Sequence, residues 1–201
     1  FNIVIAMLLI GVSTSSAAAT LDLSSGTCTS TLGGTWQASD QTCILTRGYS
    51  IGVGKALIIP LYRSLMIPPG ITLNNPGTIN NYGTINNKGT IDNDGIINNK
   101  NDYFHNDYFL LPGTIKNNGT INNKNGRTIK NDRAIVKNEK NAKINNNGGI
   151  IENINYGDIY NDGTIDNMNK GTINNRGYHL RVRILNNNGG TVNNYAGSSI
   201  Y

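Results

Sequence analysis

The chain has 201 residues, two Cys, two His, 14% charged residues and a net charge of +5. So few Cys and His exclude a cysteine-rich zinc scaffold and most histidine-based catalytic centres, and the low charge excludes a charge-driven disordered tail. Asn is the outlier: of 35 copies all but Asn2 follow Leu73, and the 27 Ile mostly fall outside a 3.6-residue period, so a long, regular, Asn-rich β structure is expected rather than a helical bundle.

Residues 1–19 open with FNIVIAMLLIGV and run through Ser/Thr to Ala17-Ala18-Ala19. A short apolar run before small residues has the form of a secretory signal and is too short for a comfortable transmembrane helix. The Phe start and the missing basic region give a second reading, a retained assembly segment like the apolar start of type IV pilins. Ile5 stands where bacterial pilins carry Glu. In that reading Phe1, Ile3, Val4, Ile5, Met7, Leu8, Leu9 and Ile10 are buried between subunits. Both readings put the protein outside the cytosol, and neither predicts a stable membrane span in the mature form.

Residues 20–58 contain no Asn and hold both cysteines, Cys28 and Cys43, with Trp36 between them. In an exported chain an isolated pair reads most simply as one disulfide. Closing a loop of about 15 residues would contribute roughly 3 kcal/mol in the chain-entropy picture. Gly33-Gly34 supplies a turn, and Trp36 is suited to plug one end of a core. This segment is expected to be a structural cap.

Residues 59–201 are expected to form the repeat. From Asn74 the sequence reads NNPGTI NNYGTI NNKGTI DNDGII. Large apolar residues recur every sixth position at Leu61, Ile67, Leu73, Ile79, Ile85, Ile91, Ile97, Tyr103, Phe109, Ile115 and Ile121. So short a period means a solenoid. Six is even, so in/out alternation is preserved from unit to unit. Ile then points inward, Thr and the first Asn outward, and Gly and the second Asn lie inward near a corner. Gly would let the chain turn tightly there, and Asn tolerates the left-handed region. Stacked inward Asn can bond along the stack. The expected fold is all-β: a parallel β-solenoid of three-unit triangular or two-unit flattened coils.

After Ile121 the inward candidates are Ile129, Ile135, Ile144, Ile151, Ile159, Ile165, Ile173, Val192 and Ile200, with steps mostly of six or eight residues. An even insertion can be absorbed by a corner. Gly177–Leu185 fits the frame worst and reads as a longer strand with Arg181 and Arg183 on one face. The remaining tyrosines sit at unit ends.

The Cys–Trp–Cys segment, then GKALIIP and IPPGITLNN, then N-x-G-T-I repeats, together resemble Asn-rich β-solenoid surface proteins of archaea and bacteria. The resemblance covers about residues 28–201. It implies an extracellular, cell-surface protein of the adhesin, surface-layer or filament type. The leading expectation is a fibre subunit joining copies of itself head to tail, since the repeat continues through Val192 and Ile200 and unpaired solenoid ends are templates for another chain. The alternative is a monomeric adhesin or carbohydrate-binding solenoid.

No catalytic residue, metal site or cofactor is expected. Asp92-Asn93-Asp94-Gly95 resembles the opening of a calcium loop but lacks the closing Glu. His105 and His179 have no nucleophile arranged beside them. Asn118-Gly119-Thr120 is a glycosylation sequon. Eight basic residues lie from Lys116 to Lys143 (Lys116, Lys124, Arg127, Lys130, Arg133, Lys137, Lys140 and Lys143), opposed only by Asp132 and Glu139. They read either as a solvated face or as a contact for anionic polysaccharide or extracellular DNA.

Overall fold

A computed structural model describes residues 19–101, 111–176, 182–187 and 189–201. The chain winds as a triangular prism, each strand lying on the face next to that of its predecessor. Among the described residues three sheets of eight, seven and eight strands result. The first face includes Ala56–Ile59, Thr78–Asn81, Ile96–Lys100, Thr128–Asp132, Ile150–Ile154 and Thr172–Arg176. The second includes Ser64–Ile67, Thr84–Asn87, Thr114–Asn117, Ile135–Asn138, Asp158–Asn161 and Arg183–Asn186. The third includes Thr72–Asn75, Thr90–Asn93, Thr120–Asn123, Lys143–Asn147, Thr164–Met168 and Thr191–Asn194. From Ser64–Ile67 onward each strand therefore pairs in parallel with the strands three before and, where present, three after it.

Within the repeated strands Thr is half-buried, Ile buried, the first Asn half-buried and the second Asn buried, as in Thr78–Asn81, Thr84–Asn87 and Thr90–Asn93. This is period-two alternation on a sheet with one buried face. The inward Ile column fills the prism axis. The inward Asn residues form three ladders at the corners. On the third face Asn75 donates through Nδ2 to Asn93 Oδ1 at 2.7 Å, Asn93 to Asn123 at 2.8 Å, Asn123 to Asn146 at 2.7 Å, Asn146 to Asn167 at 2.7 Å and Asn167 to Asn194 at 2.7 Å. Ladders beginning at Asn81 and Asn87 run along the other two faces. The other Nδ2 hydrogen reaches the carbonyl that opens the following strand in the next coil, as from Asn93 to Thr128 O and from Asn117 to Lys143 O. Each Asn thus ties the stack vertically and fixes the next corner.

The apolar frame differs from the sequence expectation at both ends of its regular region. Backward from Leu73, the residues stacked on Leu73, Ile85 and Ile79 are Tyr49, Leu65 and Leu57. The steps are eight, not six, because corners such as Pro60–Arg63 hold four residues. Leu61 stands in such a corner, half-buried. Ile67 is buried, but in the Asn column, paired with Asn87. Ile59 likewise lies over Asn81, and Ile51, whose amide donates to Asn74 O, over Asn75. These three Ile head the three ladders, so Asn75, Asn81 and Asn87 have buried Oδ1 atoms with no hydrogen-bond partner. Tyr103 and Phe109 lie outside the described residues.

The second difference is at Ile135, which occupies the outward Thr position opposite Thr114, while Val136 faces inward opposite Ile115. The step from Ile129 to Val136 is odd. Arg133 absorbs it in the left-handed region at φ 53°. Gly148, φ 69°, does the same between Ile144 and Ile151. The ladder Asn residues are not themselves left-handed; that conformation falls to Asn141, Asn155 and Asn169 in the longer corners. The repeat Gly also has a different role from the one expected. Gly95 has no positive φ, but a Cβ there would lie 2.0 Å from the Gly77 carbonyl oxygen. Gly is required because corners of successive coils stack in backbone contact.

At the N-terminal end Cys28 and Cys43 are bonded to each other. Gly34–Gln37 and Thr42–Leu45 form a hairpin, the one antiparallel ladder among the described residues, in which Trp36 opposes Cys43. Trp36 is half-buried and packs against the buried core. Arg63 Nη1 donates to the Leu23 carbonyl and ties this segment to the coils. Thr42–Leu45 already stacks in parallel on Ser64–Ile67, so residues 20–58 contribute strands to the prism as well as the hairpin.

Candidate functional site

The outer surface owes its relief to corner length. A six-residue step leaves two residues in the corner and an eight-residue step leaves four. Short corners between long ones therefore leave a notch in the prism edge. Each of the three edges carries a cleft among the described residues. At the third–first edge, Pro76-Gly77 and Asp94-Gly95 lie between Gly52–Lys55 and Lys124–Arg127, leaving an open cleft of about 620 Å³ beside exposed Val53 and Ile96. At the first–second edge a cleft of about 310 Å³ touches Asn101, Pro112, Arg133, Tyr156 and Asp158. At the second–third edge Asp162-Gly163 lies between Glu139–Ala142 and the corner that opens at Asn187. Its cleft of about 350 Å³ is lined by Ile135, Lys137, Glu139, Tyr160, Asp162 and Asn187 among others.

The last notch has the most varied lining, and its Tyr160 is held by Asp158 and Arg183 from beside it. Asp158 and Tyr160 point outward from their strand, while Ile159 and Asn161 point inward. The next strand sets Arg183 opposite Asp158 and Leu185 opposite Tyr160. Arg183 grips Asp158 with two hydrogen bonds, Nε to Oδ1 and Nη2 to Oδ2, each 2.9 Å. Tyr160 donates its hydroxyl to Asp158 Oδ2 at 3.2 Å and accepts from Arg183 Nη2 at 3.4 Å. The hydrogen bond to Asp158, then its charge, holds the Arg183 guanidinium above its ordinary range. On the neighbouring strands Lys116 and Lys137 stand in register, and Lys116 pairs with Glu139 at 3.6 Å. Asp162 Oδ1 is buried with no hydrogen-bond partner.

The eight basic residues do not form a patch. They encircle the rod: Lys116 and Lys137 on the second face, Lys130 on the first beside Glu152, and Lys143 on the third. The others occupy edges. Lys124 Nζ pairs with Asp94 at 2.7 Å, and that hydrogen bond raises its pKa, opposed by burial and helped by the charges of Asp94 and Asp92. Arg133 lies 4.0 Å from Asp132. The calcium-like segment is taken apart by alternation: Asn93 is a ladder member, Asp92 accepts from Asn122, and Asp94 faces Lys124. No group of three or more His, Cys, Asp and Glu side chains converges on a metal position among the described residues. Asn118 is exposed in a two-residue corner, its N–H bonded to Asn87 O. Val192 is half-buried against the core, while Ile200, though in register with Ile173, is 43% exposed. Phe1 to Ile10, His105 and His179 lie outside the described residues. No helix among the described residues is long and apolar enough to cross a membrane.

Sequence reasoning missed Asp158, Tyr160, Asp162 and Arg183. Tyr160 was expected at a unit end and instead stands mid-strand. The available signal was the change of step between inward residues, which marks where corners shorten.

A family model described as haemagglutinin repeat matches residues 63–125, just under a third of the chain. Those residues include the most regular N-N-x-G-T-I coils. No curated protein and no solved structure matches the chain.

Proposed function

We propose that this protein is an extracellular, adhesin-type β-solenoid: a rod held by backbone and Asn ladders that presents its edges and outward faces for recognition. The observation that carries this reading is the haemagglutinin-repeat match over coils that stack as a parallel solenoid. The division of labour supports it. Inward positions are mostly Ile and Asn and the short corners keep Gly, whereas outward positions, though often Thr or Asn, and the remaining corner positions are more varied. The matched repeat is structural or adhesive in character, and the notches offer hydrogen-bonding and apolar groups at which a ligand could dock. The test is surface labelling of intact source cells with antibody to the chain, together with adhesion of beads coated with the full chain. Labelling only after permeabilisation, or coated beads adhering no better than bare ones, would overturn the reading.

Head-to-tail assembly into a filament is the second reading. Every ladder bond runs in one direction, Nδ2 toward the following coil, so the two ends of the rod are unlike and would join heterologously. Negative-stain images separate the two: uniform filaments with an axial repeat, or isolated rods. In either form the encircling basic residues are what an anionic polysaccharide or extracellular DNA would meet, and such binding should weaken steeply with salt.

A further inference from the structure

We propose that the second–third edge notch is a binding site for an uncharged pyranose unit of a glycan, with Tyr160 as its platform; this rests on the adhesin reading above. Tyr160 is locked. Its hydroxyl is engaged by Asp158 and Arg183, which are themselves joined by two 2.9 Å hydrogen bonds, while its side chain lines the cleft. A ring already held in place loses little freedom on binding, which is the main cost that pre-organisation removes. Ile135, displaced to an outward position by the odd corner at Arg133, adds apolar surface to the same cleft. The C–H face of a pyranose suits such a floor.

The rim supplies the complementary polar groups. Glu139 and Asp162 carry acceptors, Lys137 donors, and Asn187 both. Asp162 Oδ1 is buried without a donor, a state that costs free energy and that a sugar hydroxyl would relieve. The charges balance around the cleft: Lys116 is paired with Glu139, and Lys137 and Asp162 both line it. An anionic ligand meets the Glu139 and Asp162 carboxylates there and a cationic one meets Lys137, so a neutral polyhydroxylated ligand is favoured. The volume of about 350 Å³ lies within the range of small-ligand clefts, about 300–1,000 Å³. The third–first notch is larger but is floored by the backbone of Gly77 and Gly95 and has no aromatic lining.

The test is saturation-transfer NMR and calorimetry on the full chain. The probes are methyl pyranosides of glucose, galactose, mannose and N-acetylglucosamine, with dextran sulfate as the anionic comparison. At least one neutral glycoside should bind. Tyr160→Ala should weaken it at least about tenfold, and Asp162→Ala by a few fold, as expected for a central anchor and a rim contact. Tyr160→Phe keeps the platform but releases its lock and should fall between wild type and Tyr160→Ala. Tyr195→Ala, on another edge, should change nothing. Thermal unfolding checks each variant. If Tyr160→Ala does not fold, Lys137→Ala and Asp162→Ala carry the test. Saturation by no glycoside, binding indifferent to Tyr160 and Asp162, binding of dextran sulfate alone, or an effect of Tyr160→Ala on self-association alone would each overturn the proposal. Bead adhesion separates the two readings. Adhesion that persists without glycoside binding leaves the adhesin reading standing and removes the sugar site. Glycoside binding without adhesion does the reverse.

Discussion

Replacing Asn123 by Ile, and Asn75 by Ile in parallel, tests how the ladders hold the rod. Both side chains are fully buried, and both belong to the third-face ladder. Asn123 is interior: it accepts from Asn93 Nδ2 at 2.8 Å and donates to Asn146 Oδ1 at 2.7 Å and Ile150 O at 3.0 Å. Ile at this position leaves Asn93 Nδ2 short of one acceptor and Asn146 Oδ1 without its donor. Each buried orphan costs about 1–3 kcal/mol, so a loss of about 2–6 kcal/mol is expected. Asn75 heads the ladder beneath Ile51, and its Oδ1 is already unpaired. Ile there removes that orphan and leaves Asn93 Oδ1 with only the long Gly95 N–H bond of 3.4 Å, so the defect moves down one coil in weaker form. The net cost should be only about 1 kcal/mol, the worth of a typical hydrogen bond. The chain already carries Ile in this column at Ile51, Ile59 and Ile67. Urea unfolding followed by far-ultraviolet circular dichroism, compared at matching m values, reads the difference. Equal losses, within about 0.5 kcal/mol, would refute the view that the Asn residues act as hydrogen-bonded chains and not as independent fillers.

Three further expectations follow from the same geometry. Gly95→Ala should destabilise strongly, since its Cβ would meet the Gly77 carbonyl at 2.0 Å, whereas Gly126→Ala meets nothing within 4 Å and should cost only the roughly 1–2 kcal/mol of its left-handed backbone; comparable thermal midpoints would refute the close-approach argument. Val136→Asp should unfold the coil and Ile135→Asp should be tolerated, because only the first buries an uncompensated charge, and the opposite ranking by thermal melt would show the inward frame to be out of phase by one residue. Reducing the Cys28–Cys43 bond should cost about 3 kcal/mol at most. Hydrogen exchange should then rise in the Gly34–Leu45 hairpin with the strands beyond Thr114 unaffected, and uniform loosening would refute a local role.

Much of this architecture was legible in one dimension. With an even period and identical units, Ile79, Ile85, Ile91 and Ile97 had to share one side of the strand and Asn81, Asn87, Asn93 and Asn99 had to follow them there. A single fully inward Asn needs partners that only its own copies in other coils can supply. Parallel stacking and Asn ladders were therefore implied by composition and spacing, and the paired cysteines in an Asn-free segment pointed to a separate end structure.

What the sequence left open was set by corners. The number of residues in a corner, and whether one of them is left-handed, decides which strand stacks on which and which residue faces in. Leu61 and Ile135 keep plausible spacing yet miss the core, because Pro60–Arg63 is two residues longer than a repeat corner and Arg133 adds an odd residue. Burial then rewards whichever register fills the axis, so Leu65 and Val136 are taken instead. The candidate site has the same origin. Asp158 and Arg183 are 25 positions apart and meet only because one coil closes between them. They hold Tyr160, which lines a notch set by the difference in length between neighbouring corners. Alternation is a local property of an extended chain and can be read along it; stacking is a property of closed coils and exists only in three dimensions.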